Sequence, residues 1–219
     1  MAVVINGSGT VTGLAVGGLP DGIVDSGTLA TNSVDSAELI DGAVDDSHLA
    51  DGAGEITDLS WWLMETSFDL GTTSYTTFSA NLVESPEAHG YVKLGSSMTQ
   101  SSGIFTFPST GYWEVMGRMS FKQNSGTSKG GLGISTTLNN GTNWSWTSGC
   151  HNFTHTGVGT NSYANCNPVT YVKVTDTAQV KVRFVYYVQV FSGDDVTIDG
   201  RDVLSDGGTQ FYFKKLRSL

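Results

Sequence analysis

A ten-residue unit occurs three times between residues 21 and 53, and it constrains the fold more than any other feature of the chain. Each unit carries a Val-Asp pair, and a leucine follows the valine at a distance of five residues. This spacing of apolar residues fits neither the period of a surface helix nor that of a coiled coil. Recurring Asp-Gly pairs would also interrupt a long helix. The apolar positions of the repeat are Val24, Leu29, Val34, Leu39, Val44 and Leu49.

The repeat cannot build a core within one chain, because each unit offers only a valine and a leucine for burial. Identical chains wrapped around a common axis would turn the valine and leucine rows inward and the acidic rows toward water. We therefore predict an oligomeric stalk over residues 22–60, with the repeated apolar positions as its core. The alternative is a solvated acidic linker, since residues 1–92 contain fourteen acidic residues and no lysine or arginine.

Residues 1–21 are a separate glycine-rich segment with two short β-type runs. Its apolar residues are too few for an independent core, so the segment would become ordered only against a partner surface. Their β-branched, patterned character favours a docking segment or a small intertwined cap, and the alternative is a disordered tail. The predicted docking residues are Val3, Val4, Ile5, Val11, Leu14 and Val16.

Residues 61–219 alternate between β-rich runs and turn signals such as Asn140-Gly141. About eight to ten short strands and no convincing long helix predict an all-β domain, either a β-sandwich or a jelly roll. In the run 178–191, the even positions from Val180 to Val190 share one apolar face. The odd positions from Lys181 to Phe191 are polar at one end and apolar at the other, which favours a subunit contact on that face.

The segment 102–115, SGIFTFPSTGYWEV, resembles the core strand pair of the C1q and tumour-necrosis-factor-like superfamily. GTQFYFKKL, near the C-terminus, resembles the last strand of that fold, and YVKVTDTAQVKVRF resembles the strand–turn–strand before it. The resemblance spans about residues 65–219 and implies a jelly roll that forms trimers around an aromatic axis. It also implies a binding domain and not an enzyme. The matching positions are Gly103, Phe105, Pro108, Gly111 and Tyr112 or Trp113.

A second resemblance covers about residues 1–55, which are similar to the N-terminal halves of fibre proteins of tailed bacteriophages. It implies a virion attachment segment and a trimeric stalk, in a protein made in the host cytoplasm and carried on the virion. Together the two resemblances imply a homotrimeric short tail fibre. Its N-terminus would dock to another virion protein, and its head would recognise a glycan or protein of the host surface. A capsid decoration or head-fibre protein and a connecting tail component are the alternatives.

Charge and hydropathy argue against several other partners. The eleven lysines and arginines are scattered through residues 93–219, whereas nucleic-acid binding needs a clustered basic face. No apolar run approaches the roughly 20 residues of a membrane span, so we expect no membrane insertion. The N-terminus lacks the basic region and the long apolar core of a signal peptide. The sequence also lacks a Gly-x-Ser-x-Gly elbow and a phosphate-binding loop, and we expect no catalytic residues.

Residues 143–166 are the most unusual stretch of the head, because aromatic side chains and histidines stand among small polar residues. This mixture suits loops that recognise carbohydrates or proteins. The alternative is that Trp144 and Trp146, two residues apart, fill the core from one face of a strand. The predicted receptor-contact residues are Trp144, Trp146, His151, Phe153, His155 and Tyr163.

Metal and disulfide sites have weaker support in the sequence. Asp195, Asp199 and Asp206 follow the outline of a calcium loop, although an EF-hand has a glutamate at its last ligand position and helices on both sides. Cys150 and Cys166 stand with two histidines at a spacing that matches no common zinc site. Free thiols are the expectation for this pair, with a disulfide as the alternative. We therefore expect no cofactor, and calcium in the acidic turn stays an open alternative.

Overall fold

The computed structural model describes residues 4–5, 11–12, 56–85, 93–156, 161–200 and 208–219. The chain separates into two compact units, residues 1–53 and 54–219. In the first unit, β1 (Val4–Ile5) and β2 (Val11–Thr12) pair antiparallel. The predicted docking residues Val3, Leu14 and Val16 and all apolar positions of the repeat lie outside the described residues. The stalk and the docking segment therefore stay predictions.

The described part of the second unit contains fourteen strands and no helix, and so no helix that could cross a membrane. The sandwich starts with β3, which spans the boundary predicted between residues 60 and 61. Four strands of 12 or 13 residues, β9, β10, β11 and β14, form its framework. The strands are β3 (Leu59–Met64), β4 (Phe68–Leu70), β5 (Thr76–Thr77), β6 (Leu82–Glu84), β7 (Thr99–Ser101), β8 (Ile104–Thr106), β9 (Gly111–Gln123), β10 (Gly126–Thr137), β11 (Ser145–Thr156), β12 (Ser162–Cys166), β13 (Val169–Val174), β14 (Lys181–Gly193), β15 (Val196–Ile198) and β16 (Gln210–Arg217).

These strands form two antiparallel sheets. The six-stranded sheet has the order β11-β10-β14-β8-β7, and β5 pairs with β14 beside β8. The eight-stranded sheet has the order β4-β15-β9-β16-β3-β6, and β12 and β13 both pair with β9. Chain neighbours such as β9 and β10 lie in different sheets, so the chain crosses repeatedly between the two layers. The predicted all-β sandwich is confirmed.

The core lies between the two sheets and is rich in phenylalanine. Along β14, Val182, Phe184 and Val188 are fully buried, as the alternation in the sequence predicts. Phe184 meets Phe211 of β16 across the sandwich, with ring centroids 4.1 Å apart. Such aromatic pairs contribute about 0.5–1.5 kcal/mol beyond their area of burial. The core therefore joins one strand of each sheet directly.

Two glycines of the 102–115 segment are required by the backbone. Gly103 has φ +78°, and a Cβ at this position would lie 1.9 Å from the carbonyl oxygen of Phe78. Gly111 has φ +146°, and its Cβ would lie 2.5 Å from the carbonyl oxygen of Arg217. Only glycine occupies such positions without strain. The motif that suggested the superfamily thus marks two places where the chain turns tightly against its own backbone.

The second face of β14 points outward from the six-stranded sheet. Its apolar residue Val185 is nevertheless buried, because β5 pairs alongside and matches Thr77 with Val185. Tyr75, just before β5, stacks on Tyr187 with ring centroids 5.0 Å apart. The apolar part of this face is thus partly covered within the chain. Its polar and aromatic remainder contributes to the site described next.

Candidate ligand-binding face

Strands β11, β10 and β14 of the six-stranded sheet align their outward side chains in rows. Ser135 of β10 pairs with Trp146 of β11 on one side and with Arg183 of β14 on the other. Directly paired residues of antiparallel strands point to the same face of the sheet. Trp146, Ser135 and Arg183 therefore form one outward row. The indole and the guanidinium stand at its two ends, with a small hydroxyl between them.

Glycines make a flat floor beside this row. A Cβ on Gly133 would lie 2.0 Å from the indole of Trp146, and one on Gly149 would lie 2.8 Å from its Nε1. The indole thus lies across the backbone of β10 and β11. It occupies the space that the side chain of any residue other than glycine at position 133 or 149 would fill. A Cβ on Gly131 would similarly meet His151, at 2.3 Å. Glycine inside a strand often marks such a close approach, and here it seats an aromatic ring that stays 49% exposed.

Aromatic walls turn this floor into an open groove. Tyr75 is 58% exposed and meets Trp146 edge to face, with ring centroids 5.3 Å apart. Trp144 precedes β11 and also lines the groove. The cavity has a volume of about 530 Å³, within the range of about 300–1,000 Å³ typical of small-molecule sites. We call it the aromatic groove, and its lining residues are Tyr75, Thr77, Ser135, Trp144, Trp146, Arg183 and Val185.

Arg183 brings a positive charge into the groove. Its guanidinium lies over the ring of Trp144, with the central carbon 4.3 Å from the ring centroid. Its Nε is shielded from solvent and has no hydrogen-bond partner among the described residues. Burial lowers the pKa of Arg183, but a guanidinium keeps its charge in proteins. The arginine also forms no ion pair with any described carboxylate. A cation is thus held by an aromatic face and not by an acid.

His151 and Lys129 extend this face beyond the groove. The ring of Tyr187 lies 6.0 Å from the ring of His151, and the ammonium of Lys129 lies 5.9 Å from the same tyrosine. Burial, and then the positive charge of Lys129, lower the pKa of His151 below its ordinary 6.5. The imidazole is therefore neutral at pH 7, and Lys129 and Arg183 supply the positive charge of this region.

The structure brings most of the predicted receptor-contact residues to this face. Trp144 and Trp146 line the aromatic groove, and His151, Phe153 and His155 follow on the outward side of β11. All of these except Trp144 are exposed. The alternative interpretation, in which both tryptophans fill the core, is wrong. Tyr163 is exposed as well, but it lies on β12 of the other sheet.

Sequence reasoning missed three residues that complete the site. Tyr75 lies in the polar stretch GTTSYTT, and nothing local marks it as a wall of the groove. Arg183 and Tyr187 were assigned to the outward face of β14, but not joined to the tryptophans. The signal that could have linked them is GGLG at 130–133, because repeated glycines inside a strand indicate that something lies against its backbone.

The eight-stranded sheet carries a different surface on its outward face. Trp61, Tyr212, Met116 and Val169 form one row across β3, β16, β9 and β13. The rings of Trp61 and Tyr212 are 4.5 Å apart, and Val169 is exposed. In the neighbouring row Tyr171 is 68% exposed. We call these five residues the apolar strip, and no residue of the described head covers Tyr171.

The candidate calcium residues do not share a loop in the structure. Val196–Ile198 forms strand β15, so Asp195 and Asp199 stand at its two ends. Their Cα atoms are about 13 Å apart, because a strand rises about 3.3 Å per residue. Asp199 is buried, accepts a hydrogen bond from the hydroxyl of Ser120 at 3.2 Å and lies 3.9 Å from the ammonium of Lys122. One calcium ion cannot bind both aspartates across this strand. Asp206 lies outside the described residues.

Other metal or redox chemistry finds little support in the described ranges. Among them, no three His, Cys, Asp or Glu side chains come together as a metal site would require. Cys150 and Cys166 are free thiols, and Cys166 is fully buried in the core of the sandwich. Burial, together with a hydrogen bond to Cys150, raises the pKa of the Cys166 thiol. It therefore stays protonated and unreactive at neutral pH.

Comparison with known proteins gives a match in structure only. No model of a protein family matches the sequence, and no curated protein is significantly similar to it. The structure is similar to that of Eiger TNF from S. frugiperda, at TM-score 0.50 and 9% identity over 75% of this chain and 96% of that one. The head is a TNF-like jelly roll. Murine APRIL also aligns, at TM-score 0.46 and 11% identity over 73% of this chain and 98% of that one.

The TNF-like jelly roll confirms the predicted fold class of the head. At identities near one residue in ten, the likeness concerns the fold and not the activity or the ligand. Within this jelly roll, the aromatic groove and the apolar strip lie on the outward faces of opposite sheets. The two surfaces therefore lie on opposite sides of the sandwich and do not overlap.

Proposed function

We propose that the chain is a homotrimeric fibre protein of a tailed-bacteriophage virion, whose TNF-like head binds the host surface. In this proposal the head binds and does not catalyse. The observation that carries it is that the two outward faces of the sandwich differ in chemical character. One face presents apolar side chains that need a partner surface, and the other presents an open groove with aromatic walls.

The trimer is supported by two independent features. The decad repeat requires other copies to complete its core, and the apolar strip of the head leaves Tyr171 and Val169 exposed to solvent. Exposed apolar surface of this kind usually marks an interface. Both features are satisfied if copies of the chain associate along their whole length. The similarity of residues 1–55 to phage fibre proteins suggests three as the number of copies.

Mass measurement of the purified protein in solution tests the assembly. We expect a trimer, held together at the head even when the repeat is weakened. In a chain whose repeat is weakened by Val34→Asp and Leu39→Asp, Tyr171→Glu places a charge in the apolar strip and should convert the trimer to a monomer. Tyr163→Glu, on an exposed tyrosine of the same sheet outside the strip, is the matched control. A monomer at micromolar concentration, or equal effects of the two variants, would contradict the proposed interface.

Host binding is tested by adsorption of the purified trimer to host cells. Truncating Trp146 to alanine removes the central ring of the groove, and we expect adsorption to fall about tenfold or more, as for a buried aromatic hot spot. Phe191→Ala is the control, since Phe191 is an exposed aromatic of the same sheet outside the groove. Undiminished adsorption of a trimeric Trp146→Ala protein would argue against host recognition by this face.

The position on the virion is tested by imaging particles that carry a label at the C-terminus of the chain. A label at the tail supports the fibre. A label distributed over the capsid would contradict it and would favour a capsid decoration protein, for which the same trimer would serve. Either result leaves the adsorption experiment unaffected, so the two parts of the proposal can fail separately.

A further inference from the structure

The six-stranded sheet has an unusual charge composition. The protein has a formal net charge of −10, with 21 acidic residues. None of the strands β5, β7, β8, β10, β11 and β14 contains an aspartate or a glutamate. The same strands carry Lys129, Lys181 and Arg183. Residues 1–53 account for most of the net negative charge, because residues 54–219 hold thirteen acidic and eleven basic residues. The groove therefore lies in a basic sheet of a nearly neutral domain.

From this charge and from the geometry of the aromatic groove, we infer that the groove binds a carboxylated sugar unit of a polysaccharide. This inference rests on the proposed function, since it names the chemistry of the host surface that the head would recognise. It requires two kinds of contact. The sugar ring must pack on an aromatic face, and the carboxylate must meet a cation.

The first contact is provided by the flat indole of Trp146. Its ring lies over Gly133 of β10 and Gly149 of β11 and is 49% exposed, so it presents a flat apolar face to solvent. The C–H-bearing face of a pyranose ring matches such a surface. Tyr75 stands beside the indole as a second wall, and the hydroxyls of Thr77 and Ser135 lie in the lining. Apolar walls with a few polar groups are the usual composition of a small-molecule site.

The second contact is provided by Arg183. Its guanidinium carbon lies 4.3 Å from the centroid of the Trp144 ring, so the cation is held beside the groove by an aromatic contact within the chain. A planar guanidinium donates two parallel hydrogen bonds to a carboxylate. Because no described acid pairs with Arg183, its charge is not neutralised within the described head. A carboxylate on a sugar stacked upon Trp146 would reach across the row to this cation.

Calorimetric titration of the intact trimer tests the inference with defined probes. The panel consists of short oligomers of galacturonate, glucuronate and mannuronate, with the neutral oligomers of galactose, glucose and mannose as their respective counterparts. We expect at least one uronate oligomer to bind, and its neutral counterpart to bind at least about tenfold more weakly, since a charged hydrogen bond contributes about 1.5–3 kcal/mol. Binding should weaken as salt is raised.

Variants of the groove separate the two contacts. Arg183→Gln should reduce uronate affinity to that of the neutral oligomer, Arg183→Lys should restore part of it, and Trp146→Ala should abolish binding of both. Phe191→Ala should bind as the unchanged protein does, and a thermal melt of each variant shows that it is folded. The inference is overturned if no uronate binds at millimolar concentration, if neutral oligomers bind as tightly, or if Arg183→Gln keeps the discrimination.

Failure of the ligand class can be told apart from failure of the proposed function. If Trp146→Ala loses host adsorption while no uronate binds, the head recognises its host through a different chemistry and the inference alone is wrong. If a uronate binds but neither Trp146→Ala nor added oligomer changes adsorption, the sugar site exists and host recognition lies elsewhere. Competition of adsorption by the tightest-binding oligomer supports both together.

Discussion

Neutralising Lys215 tests how much a buried ion pair contributes to the head. Lys215 lies on the inward side of β16, and its ammonium is 3.7 Å from Oδ2 of Asp58 and 3.0 Å from the hydroxyl of Ser109. The side chains of Lys215 and Asp58 are only 9% and 12% exposed. Asp58 Oδ1 also accepts a hydrogen bond from the backbone of Ser96, at 2.9 Å. The pair thus holds the segment before β3 against the last strand.

The expected magnitude follows from burial. Lys215→Met keeps the length and the apolar stem of the side chain, but it leaves the carboxylate of Asp58 without its cation. Removing one partner of a buried pair costs about 3–5 kcal/mol, because the remaining charge stays desolvated. Some solvent reaches both groups, so we expect the lower end, about 3 kcal/mol. For a domain of this size that corresponds to a fall in Tm of roughly 6–12 °C.

Asp58→Asn and the double variant complete a thermodynamic cycle, measured by thermal and urea unfolding at one fixed protein concentration. The double variant should cost at least about 2 kcal/mol less than the two single changes added together, since neither charge is then left alone. Lys93→Met is the control, because Lys93 and Glu84 lie 3.8 Å apart but are 40% and 30% exposed. A pair with that exposure contributes about 1 kcal/mol or less.

The reasoning fails if Lys215→Met and Lys93→Met destabilise the head equally. Distance alone would then govern the contribution of an ion pair, and burial would not matter. It also fails if the double variant costs as much as the sum of the single variants, since the two charges would then act independently of each other.

Three further outcomes are expected. Gly103→Ala should lower the free energy of unfolding by at least about 1–2 kcal/mol in urea titration, because φ is positive there and a Cβ would overlap the carbonyl of Phe78. His151 should titrate below pH 6.5 by NMR, because its folded pKa is lowered. Its contribution to stability is therefore complete above pH 6.5 and declines as pH falls below that value, and a titration at or above 6.5 would contradict this. Aspartate at Val34 and Leu39 should weaken the stalk, seen as faster proteolysis before residue 54, while the circular dichroism of the head is unchanged.

The core of the head could be predicted from the sequence because it follows a local period. Alternation along residues 178–191 assigned Val182, Phe184 and Val188 to one face, and all three are buried. The 102–115 segment also identified the fold correctly, because Gly103 and Gly111 occupy backbone positions that few other residues tolerate. Local pattern and local backbone geometry are what a single sequence records directly.

The orientation of the tryptophans could not be predicted in the same way. Alternation says which residues share a face, but it does not say whether that face is inward. In addition, the pairing of β10 with β11 shifts register between Ile134 and Ser135, so that Ile134 pairs with Ser148 and Ser135 with Trp146. This bulge puts Trp146 on the same face as His151, although they are an odd number of residues apart. A strict alternation would have separated them.

The groove itself depends on contacts that are distant in the sequence. Tyr75 and Arg183 are brought beside Trp146 only when β5 and β11 flank the β10–β14 pair. No local sequence pattern around any of these three residues indicates that the other two lie nearby. The prediction of a calcium loop around Asp195 and Asp199 was wrong for a related reason, because it also depended on strand pairing that the local sequence does not show. The spacing of the aspartates suits a loop, but Val196–Ile198 pairs with β4 and β9 as a strand.

The glycine floor has a consequence for how this head changes its specificity. The indole of Trp146 keeps its place only while Gly133 and Gly149 lack side chains, so one added methyl group on the neighbouring strand would displace the ring without altering the tryptophan. Under the proposed function, the glycines of β10 and β11 would then control binding preference through the position of the ring. Host-range variants selected in the laboratory are expected to include substitutions at these glycines, and sequencing of β10 and β11 checks this.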